Sequence, residues 1–349
     1  MSKIIEFTNP TKERIQTMDN LIRSGKMGAR FALPQMDAAT AGGLAFLVGE
    51  LEKVDTALME PLTSVTWMRD IVAKTGGGFV NLVSAYAVSY GTTGADEESL
   101  IYNGATDIAT AQADLTKDLW KTVTFAMNMQ IGYLDQEALR QIPRSINEIY
   151  DNGIKLNWNK LLDKSTYYGL SKINTHGLVN NPNVVTSTVA AGASSKTTWK
   201  DKTPVEILAD VNAVLAAQWE AVGYDTSAMA NHILVDPVNF GYIATTPVTE
   251  AGTESILSYI KRNCLAAAQQ VDLEFVPCRQ CKGAGASSAN RLVVYRNDES
   301  KIDFDITMPL GRVMTSVDAG KLAYLTSYAG QFSEVKFKYP QTVRYADGV

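Results

Sequence analysis

From Phe79 to Tyr90 the chain alternates between apolar and polar positions, with Val80, Leu82, Tyr86, Val88 and Tyr90 sharing one parity. That period of two predicts a half-buried strand. Upstream, Val65 to Val72 is rich in β-formers and reads as extended chain, broken by Gly76, Gly77 and Gly78. Downstream, Gly91 to Ser99 is polar and carries Asp96, Glu97 and Glu98, which predicts a solvated tip. The chain then returns through Ile101 to Leu115, and again through Trp120 to Met129, where Val123, Phe125 and Met127 alternate. A two-stranded hairpin of this kind has little of its own to bury and is marginal in water. It is expected to need a partner surface, another subunit.

Helical spacing follows. Asp135 reads as an N-cap with Glu137 in the first turn, both favourable at the positive end of a helix. Pro143 suits a first helical position. Ile146, Ile149, Tyr150, Ile154, Trp158, Leu161 and Leu162 then fall on one face, ending towards Gly169. A helix of about 25 residues would be roughly 40 Å long. The Gly/Ser/Thr-rich stretch Thr186 to Thr198 reads as a linker. Thr203-Pro204-Val205-Glu206 has capping-box spacing and opens a helix that buries Ile207, Leu208, Val211, Val214, Leu215 and Trp219. Beyond it, His232 to Asp236, Val271 to Val276, Arg291 to Arg296 and Ile302 to Ile306 read as strands, with helices over Pro237 to Ile243 and Ser255 to Ala267. Glu334 to Pro340 alternates strictly and predicts a closing strand. No internal repeat is visible. The fold class is mixed α+β, in two lobes with extensions.

Composition narrows the options. The 349 residues are 46% hydrophobic and 20% charged, which excludes a disordered chain. A net charge of -5 excludes a whole-surface basic footprint for nucleic acid. The first thirty-odd residues are locally basic and are expected to form an arm with one short helix, bracketed by Pro10 and Pro34. No secretory leader is expected, nor any 18-residue apolar run able to span a membrane. Three cysteines in 349 residues fit a reducing, cytoplasmic-type setting rather than a disulfide framework.

Candidate chemistry is sparse. Cys278-Arg279-Gln280-Cys281 has redox or metal spacing. A structural zinc needs four ligands, and only Cys264, His176 and His232 remain to complete one, none of them paired. Lys282 to Ser288 follows as a flexible loop, not the helix N-terminus that would activate a thiol. The glycine clusters at Gly76 to Gly78 and Gly283 to Gly285 lack the Lys-Ser/Thr of a phosphate loop. His176 and His232 read as structural, and no carboxylate pair has a glycosidase-type arrangement. No residue is therefore assigned a catalytic, cofactor-binding or metal-binding role.

The order of the pieces carries more than any motif. Trp67-Met-Arg-Asp-Ile-Val72 resembles the strand that enters an extended loop (E-loop), and Tyr133-Leu-Asp-Gln-Glu-Ala-Leu139 the segment ahead of a long spine helix. Tyr168-Gly-Leu170 with Gly177-Leu-Val-Asn180 resembles that helix's exit, Leu234 to Pro247 with Ser255 to Tyr259 an axial-domain core, and Glu334 to Val349 a closing strand. Together they resemble the major capsid proteins of tailed bacteriophages, with the Hong Kong 97-like fold. The resemblance implies an N-terminal arm over 1–63 and an E-loop over 64–117. It implies a peripheral domain over 118–199 and 326–349 with a spine helix at about 143–169, and an axial domain over 200–325. It implies a non-enzymatic subunit that assembles with itself into the pentamers and hexamers of an icosahedral shell around double-stranded DNA. Expected partners are scaffolding, portal and decoration proteins, with no membrane and no cofactor. The expected location is the virion, assembled in the bacterial host cytoplasm. An encapsulin-like nanocompartment shell is the nearest alternative, and a CxxC redox or metal-binding protein a more distant one. Some family members begin with a scaffolding extension, which is not expected here. Others cross-link neighbours through an E-loop lysine; Phe79 to Thr116 contains no lysine, so a noncovalent shell is expected.

Overall fold

One 22-residue strand, Ala111–Gly132, links the parts of this computed structural model, which describes residues 64–92, 110–139, 146–249 and 252–349. The expected arm over 1–63, the acidic tip, Ile101 and Pro143 lie outside the described residues.

In chain order the elements begin with a single helical turn α1 (Trp67–Asp70) and a short strand β1 (Ala73–Thr75). The hairpin strands β2 (Leu82–Thr92) and β3 (Ala111–Gly132) follow, then helices α2 (Tyr133–Leu139) and α3 (Ile146–Tyr168). After β4 (Thr186–Thr188) come α4 (Pro204–Ala221), β5 (His232–Val235) and α5 (Pro237–Thr245). Helices α6 (Ile256–Asn263) and α7 (Leu265–Ala268) lead to β6 (Glu274–Pro277), β7 (Arg291–Tyr295) and β8 (Ile302–Ile306). The chain closes with β9 (Met308–Asp318), β10 (Ala323–Ser333), β11 (Lys336–Phe337) and β12 (Val343–Asp347).

Three sheets result, ordered β1-β8-β11, β2-β3-β10-β9 and β4-β12-β7-β5-β6. In the five-stranded sheet β5 and β7 are covered on both faces, which is why they read as unbroken apolar runs rather than alternating ones. Leu234, Val293, Tyr295 and Tyr345 point into one core, with Trp158, Leu162 and Tyr167 of α3. Their neighbours Ile233, Val235, Leu292 and Val294 point into a second core, against Ile207, Val211, Val214 and Leu215 of α4 and Ile256 and Ile260 of α6. The capping box at Thr203 and Glu206 is formed as its spacing predicts.

Helix α3 spans 23 residues, roughly 35 Å. Its C-terminus shows how a glycine-rich segment can be structural. Gly169 ends the helix at φ +69°, and an added Cβ would meet the Thr175 carbonyl at 2.2 Å. The Gly177–Asn180 segment then folds back and satisfies the last carbonyls. Leu178 N donates to Thr166 O, Val179 N to Tyr167 O, and Asn180 Nδ2 to Tyr168 O. Gly177 is required because a Cβ there would lie 2.3 Å from the Tyr167 carbonyl.

Several expectations need correction. Val65 to Val72 is not a strand: Trp67, Asp70 and Ile71 are buried at helical spacing, and Ile71 N donates to Trp67 O. The two returning segments are parts of one strand, β3. Asp135 lies inside the first turn of α2 rather than capping it. The supposed linker begins with edge strand β4, parallel to β12. The helix expected over Ser255 to Ala267 breaks at Cys264, which adopts extended angles. The strict alternation of Glu334 to Pro340 yields only the two-residue strand β11, paired with Ile302 and Asp303 of β8, and Lys336 is buried as well, in ion pairs with Asp303 and Asp305. The long hairpin β9–β10 was not anticipated: glycines and polar residues interrupt its apolar pattern. Positions 117/118 lie within β3 and 325/326 within β10, and β12 joins β4 and β7 in the five-stranded sheet.

Candidate functional site: an arm and its root

The residues with candidate chemistry sit in a buried polar network. Cys278 and Cys281 flank the 3-10 turn Arg279–Cys281 and are both buried. Cys278 Sγ donates to Gln280 Oε1, and Gln280 Nε2 donates to Asp163 Oδ2 at 2.8 Å. Asp163 Oδ1 accepts from Thr66 N at 2.9 Å, and Thr66 Oγ1 meets the Tyr167 hydroxyl at 2.8 Å. Tyr167 in turn donates to Asp70, whose backbone carbonyl accepts from Tyr295. One chain of contacts thus joins the cysteine turn, the end of α3 and the segment that leads into the hairpin.

Asp70 is the charged member of this network. Arg69 grips its two oxygens at 2.6 and 3.0 Å, and His232 Nε2 lies 3.7 Å away. Burial pushes the Asp70 carboxyl up, but the nearby His232 and hydrogen bonds from Arg69 and Tyr167 outweigh it and hold the group below the ordinary carboxylate value. The Cys281 thiol goes the other way: its contact with Cys278, then burial, pushes it well up. That is the reverse of an activated thiolate. Among the described residues no three His, Cys, Asp or Glu side chains cluster as metal ligands. His176 lies in the turn after α3 and His232 in the network; the carboxylates at 96–98 lie outside the described residues. The loop after Cys281 is tied down, since Asp347 accepts from Ala286 N and from Arg291.

From this network the chain runs into a second set of ties at the hairpin root. Strand β1 pairs in parallel with β8, and Gly76 N and Gly78 N donate to Ile306 and Thr307 carbonyls. Gly76, Gly77 and Gly78 all have positive φ, a conformation that side chains disfavour. Buried Asp303 is ringed by Lys74, Lys336 and Lys338 at 2.9 to 3.3 Å. Buried Gln331 clamps the start of the hairpin. Its Oε1 accepts from Val80 N and Thr307 Oγ1, while its Nε2 donates to Val80 O at 2.7 Å. Lys121 and Glu334 exchange a backbone hydrogen bond and a side-chain one. Sequence reading missed Asp70, Gln280, Asp303 and Gln331, because a single buried polar residue leaves no periodic mark.

Beyond the root the described hairpin residues are largely exposed. Leu82 pairs with Lys121 and Thr92 with Ala111, so β2 covers only the first half of β3. From Thr122 to Gly132, β3 pairs instead with β10. Cross-strand partners share a face. One face of the arm carries Leu82, Tyr86, Val88, Tyr90, Leu115 and Leu119, all exposed, with Tyr86 at 67%, Tyr90 at 82% and Leu115 at 63%. Lys117 lies on that face, 5.6 Å above the Tyr86 ring. It is therefore on the arm itself. The opposite face carries Ala85, Ala87, Ser89, Gly91, Asp114, Thr116 and Asp118, with half-buried Val83 and Trp120 at the root.

Comparison with solved structures finds this architecture in capsids. The capsid of Myoviridae phage XM1 is similar at a TM-score of 0.70 and 14% identity, over 86% of this chain and 98% of that one. The capsid of a native GTA particle matches at 0.59 and 11%, over 90% and 99%. The capsid of cyanophage P-SCSP1u matches at 0.55 and 12%, over 92% and 99%. At such identities the likeness establishes the fold. No curated protein matches the chain. The sequence itself matches the profile of major capsid proteins over residues 96–349, which takes in β3 and both cores' main elements. The chain belongs to the major capsid protein family and is a structural subunit of a capsid shell.

Proposed function

We propose that this subunit closes the icosahedral shell of a tailed bacteriophage from pentamers and hexamers, around double-stranded DNA and without enzymatic activity. The observation that carries the reading is the arm: a rooted ribbon whose apolar face has no cover in its own described chain. An exposed apolar patch of this extent marks an interaction site, and identical subunits close a shell by repeating one such contact. A net charge of -5 suits a container that must release its DNA, because phosphate attraction grows with basic contacts. The encapsulin-like alternative is not favoured, since the family match is to capsid proteins.

On this reading 1–63 is an N-terminal arm and the hairpin an E-loop. The peripheral domain takes 118–199 and 326–349 with α3 as its spine helix, and the axial domain takes 200–325 with α4 to α7. Scaffolding, portal and decoration proteins are the proposed partners. The virion is the location the family supports, and the host cytoplasm is the proposed place of assembly. Among the described residues no helix is long and apolar enough to cross a membrane.

Sedimentation and electron microscopy of the purified chain test the reading. Closed shells or capsomers are expected, and deletion of Thr92 to Asn103 should impair assembly more than folding. A compact 38.0 kDa monomer under every assembly condition, with the arm intact, would refute it. The face that carries Lys117 holds no carboxylate in either strand to take its proton. Boiled particles should therefore still run as one band near 38.0 kDa.

A further inference from the structure

Helix α3 buries Ile154, Trp158 and Leu162 on one side, and its outer side carries charge of one sign. Gly153, Asn157, Lys160, Lys164 and Tyr168 are exposed at steps of three or four residues, so they form one narrow stripe, roughly 22 Å long. The stripe runs on into the 3-10 turn Ser171–Ile173, where Ser171 and Lys172 are exposed. Lys121 closes that end, since its Nζ donates to Ile173 O at 3.0 Å. Between 152 and 174 the only carboxylate is Asp163, which is buried and held by Thr66 and Gln280. Beside the stripe, Lys155 pairs with Asp151 at 2.7 Å, and Glu334 accepts from the Lys121 backbone N–H. Lys160, Lys164 and Lys172 have no ion-pair partner among the described residues. Lysines four apart on a helix repel each other, yet this subunit of net charge -5 places no carboxylate among them. The stripe is an unneutralised cationic edge on an acidic protein.

Resting on the shell reading above, we propose that this stripe of α3 is the face the subunit turns to the packaged duplex DNA, and that it contacts the duplex through phosphates alone. The residue types fit that role, since phosphate oxygens accept hydrogen bonds from Lys, Asn and Ser side chains. They do not fit base recognition. The stripe has no arginine fork to read guanine edges. Its one aromatic ring, Tyr168, is anchored by its hydroxyl to the Gln280 carbonyl at 3.1 Å. A duplex also supplies the missing charge, because it presents one phosphate per about 1.7 Å of its axis. Three unpaired lysines make a weak contact for one subunit, repeated by every copy in a shell. The acidic remainder of the chain repels the same phosphates, which confines the contact to the stripe.

Two measurements test this, one on particles and one on the subunit. Particles filled with DNA, and shells of the same form emptied of it, are acetylated with an N-hydroxysuccinimide ester and mapped by peptide mass spectrometry. Lys160, Lys164 and Lys172 should react several-fold less in the filled particles, while exposed Lys200 should react equally in both. Equal reaction of the stripe in filled and empty shells overturns the proposal. Protection in both means that protein covers the stripe, and the occupant is wrong. On the unassembled subunit, fluorescence anisotropy reads binding to a duplex of mixed sequence at several salt concentrations. The slope of log affinity against log salt counts the phosphates neutralised, at about 0.9 for each. Lys160→Gln with Lys164→Gln should lower that slope by about 2, and Lys196→Gln with Lys200→Gln should leave it unchanged. Circular dichroism should show both variants folded. An unchanged slope in the first variant, no binding at about 50 mM salt, or preference for one sequence would each overturn the phosphate contact. A chain that forms no particles refutes the shell reading instead, and the two failures are told apart because the slope is read on the subunit alone.

Discussion

Strand β3 contains its own control. Residues 122–132 and 111–121 belong to one ladder-forming strand, with the same alternation of apolar and polar side chains, yet the first stretch is core and the second is surface. The difference is not in the strand. It lies in what stands opposite: α3 with Trp158 and Ile154 over one half, nothing from the described chain over the other. Alternation therefore reports a face that needs covering, and leaves open whether the cover comes from the same chain.

The largest test of that contrast is a pair of truncations. Trp158→Ala should destabilise the subunit by about 3–5 kcal/mol, as loss of a buried Trp does, because the ring packs on Phe125 and Phe332. Tyr86→Ala on the arm should change subunit stability by less than about 0.5 kcal/mol. Urea unfolding of unassembled subunits measures both. Equal losses would mean that the arm is folded into its own body.

Next comes the network that precedes the arm. Asp70→Asn leaves Arg69 and Tyr167 without their carboxylate and should cost about 3 kcal/mol. The pH dependence has a definite sign. Asp70 is held below its ordinary value, so its stabilisation is present above the unfolded value, about 3.9, and is lost as pH falls through the lower folded value. Wild-type subunits should lose stability in acid more steeply than the Asp70→Asn variant. Parallel acid-unfolding curves would show that the network does not carry this charge.

A smaller effect is expected at the root. Gln331→Leu removes both hydrogen bonds to Val80 and the contact with Thr307, a loss of about 1–3 kcal/mol. Amide exchange should rise at Val80 and along β2 while β5 and β7 stay protected. Unchanged exchange in β2 would mean that the ladder to β3 alone holds the arm.

What the sequence makes legible follows from which signals are periodic. The hairpin, α3, the capping box of α4 and the runs of β5, β7 and β8 all show as spacing. The residues that fix the arm's root do not: Asp70, Asp303 and Gln331 are single polar side chains whose burial depends on partners up to more than 200 positions away. Trp67 to Ile71 misleads for a related reason. Trp67 and Ile71 are β-formers, yet they are buried with Asp70 at i, i+3 and i+4, and tertiary packing overrides their local preference. The Cys278–Cys281 spacing marks a turn in which the residue that bonds across elements is Gln280.

The most direct measurement is a cryo-electron microscopy reconstruction of assembled particles at side-chain detail. The account predicts Tyr86, Val88 and Leu115 in contact with a neighbouring copy, with Asp114 and Asp118 turned to solvent. An arm folded back on its own subunit, or docked by its acidic face, would contradict it.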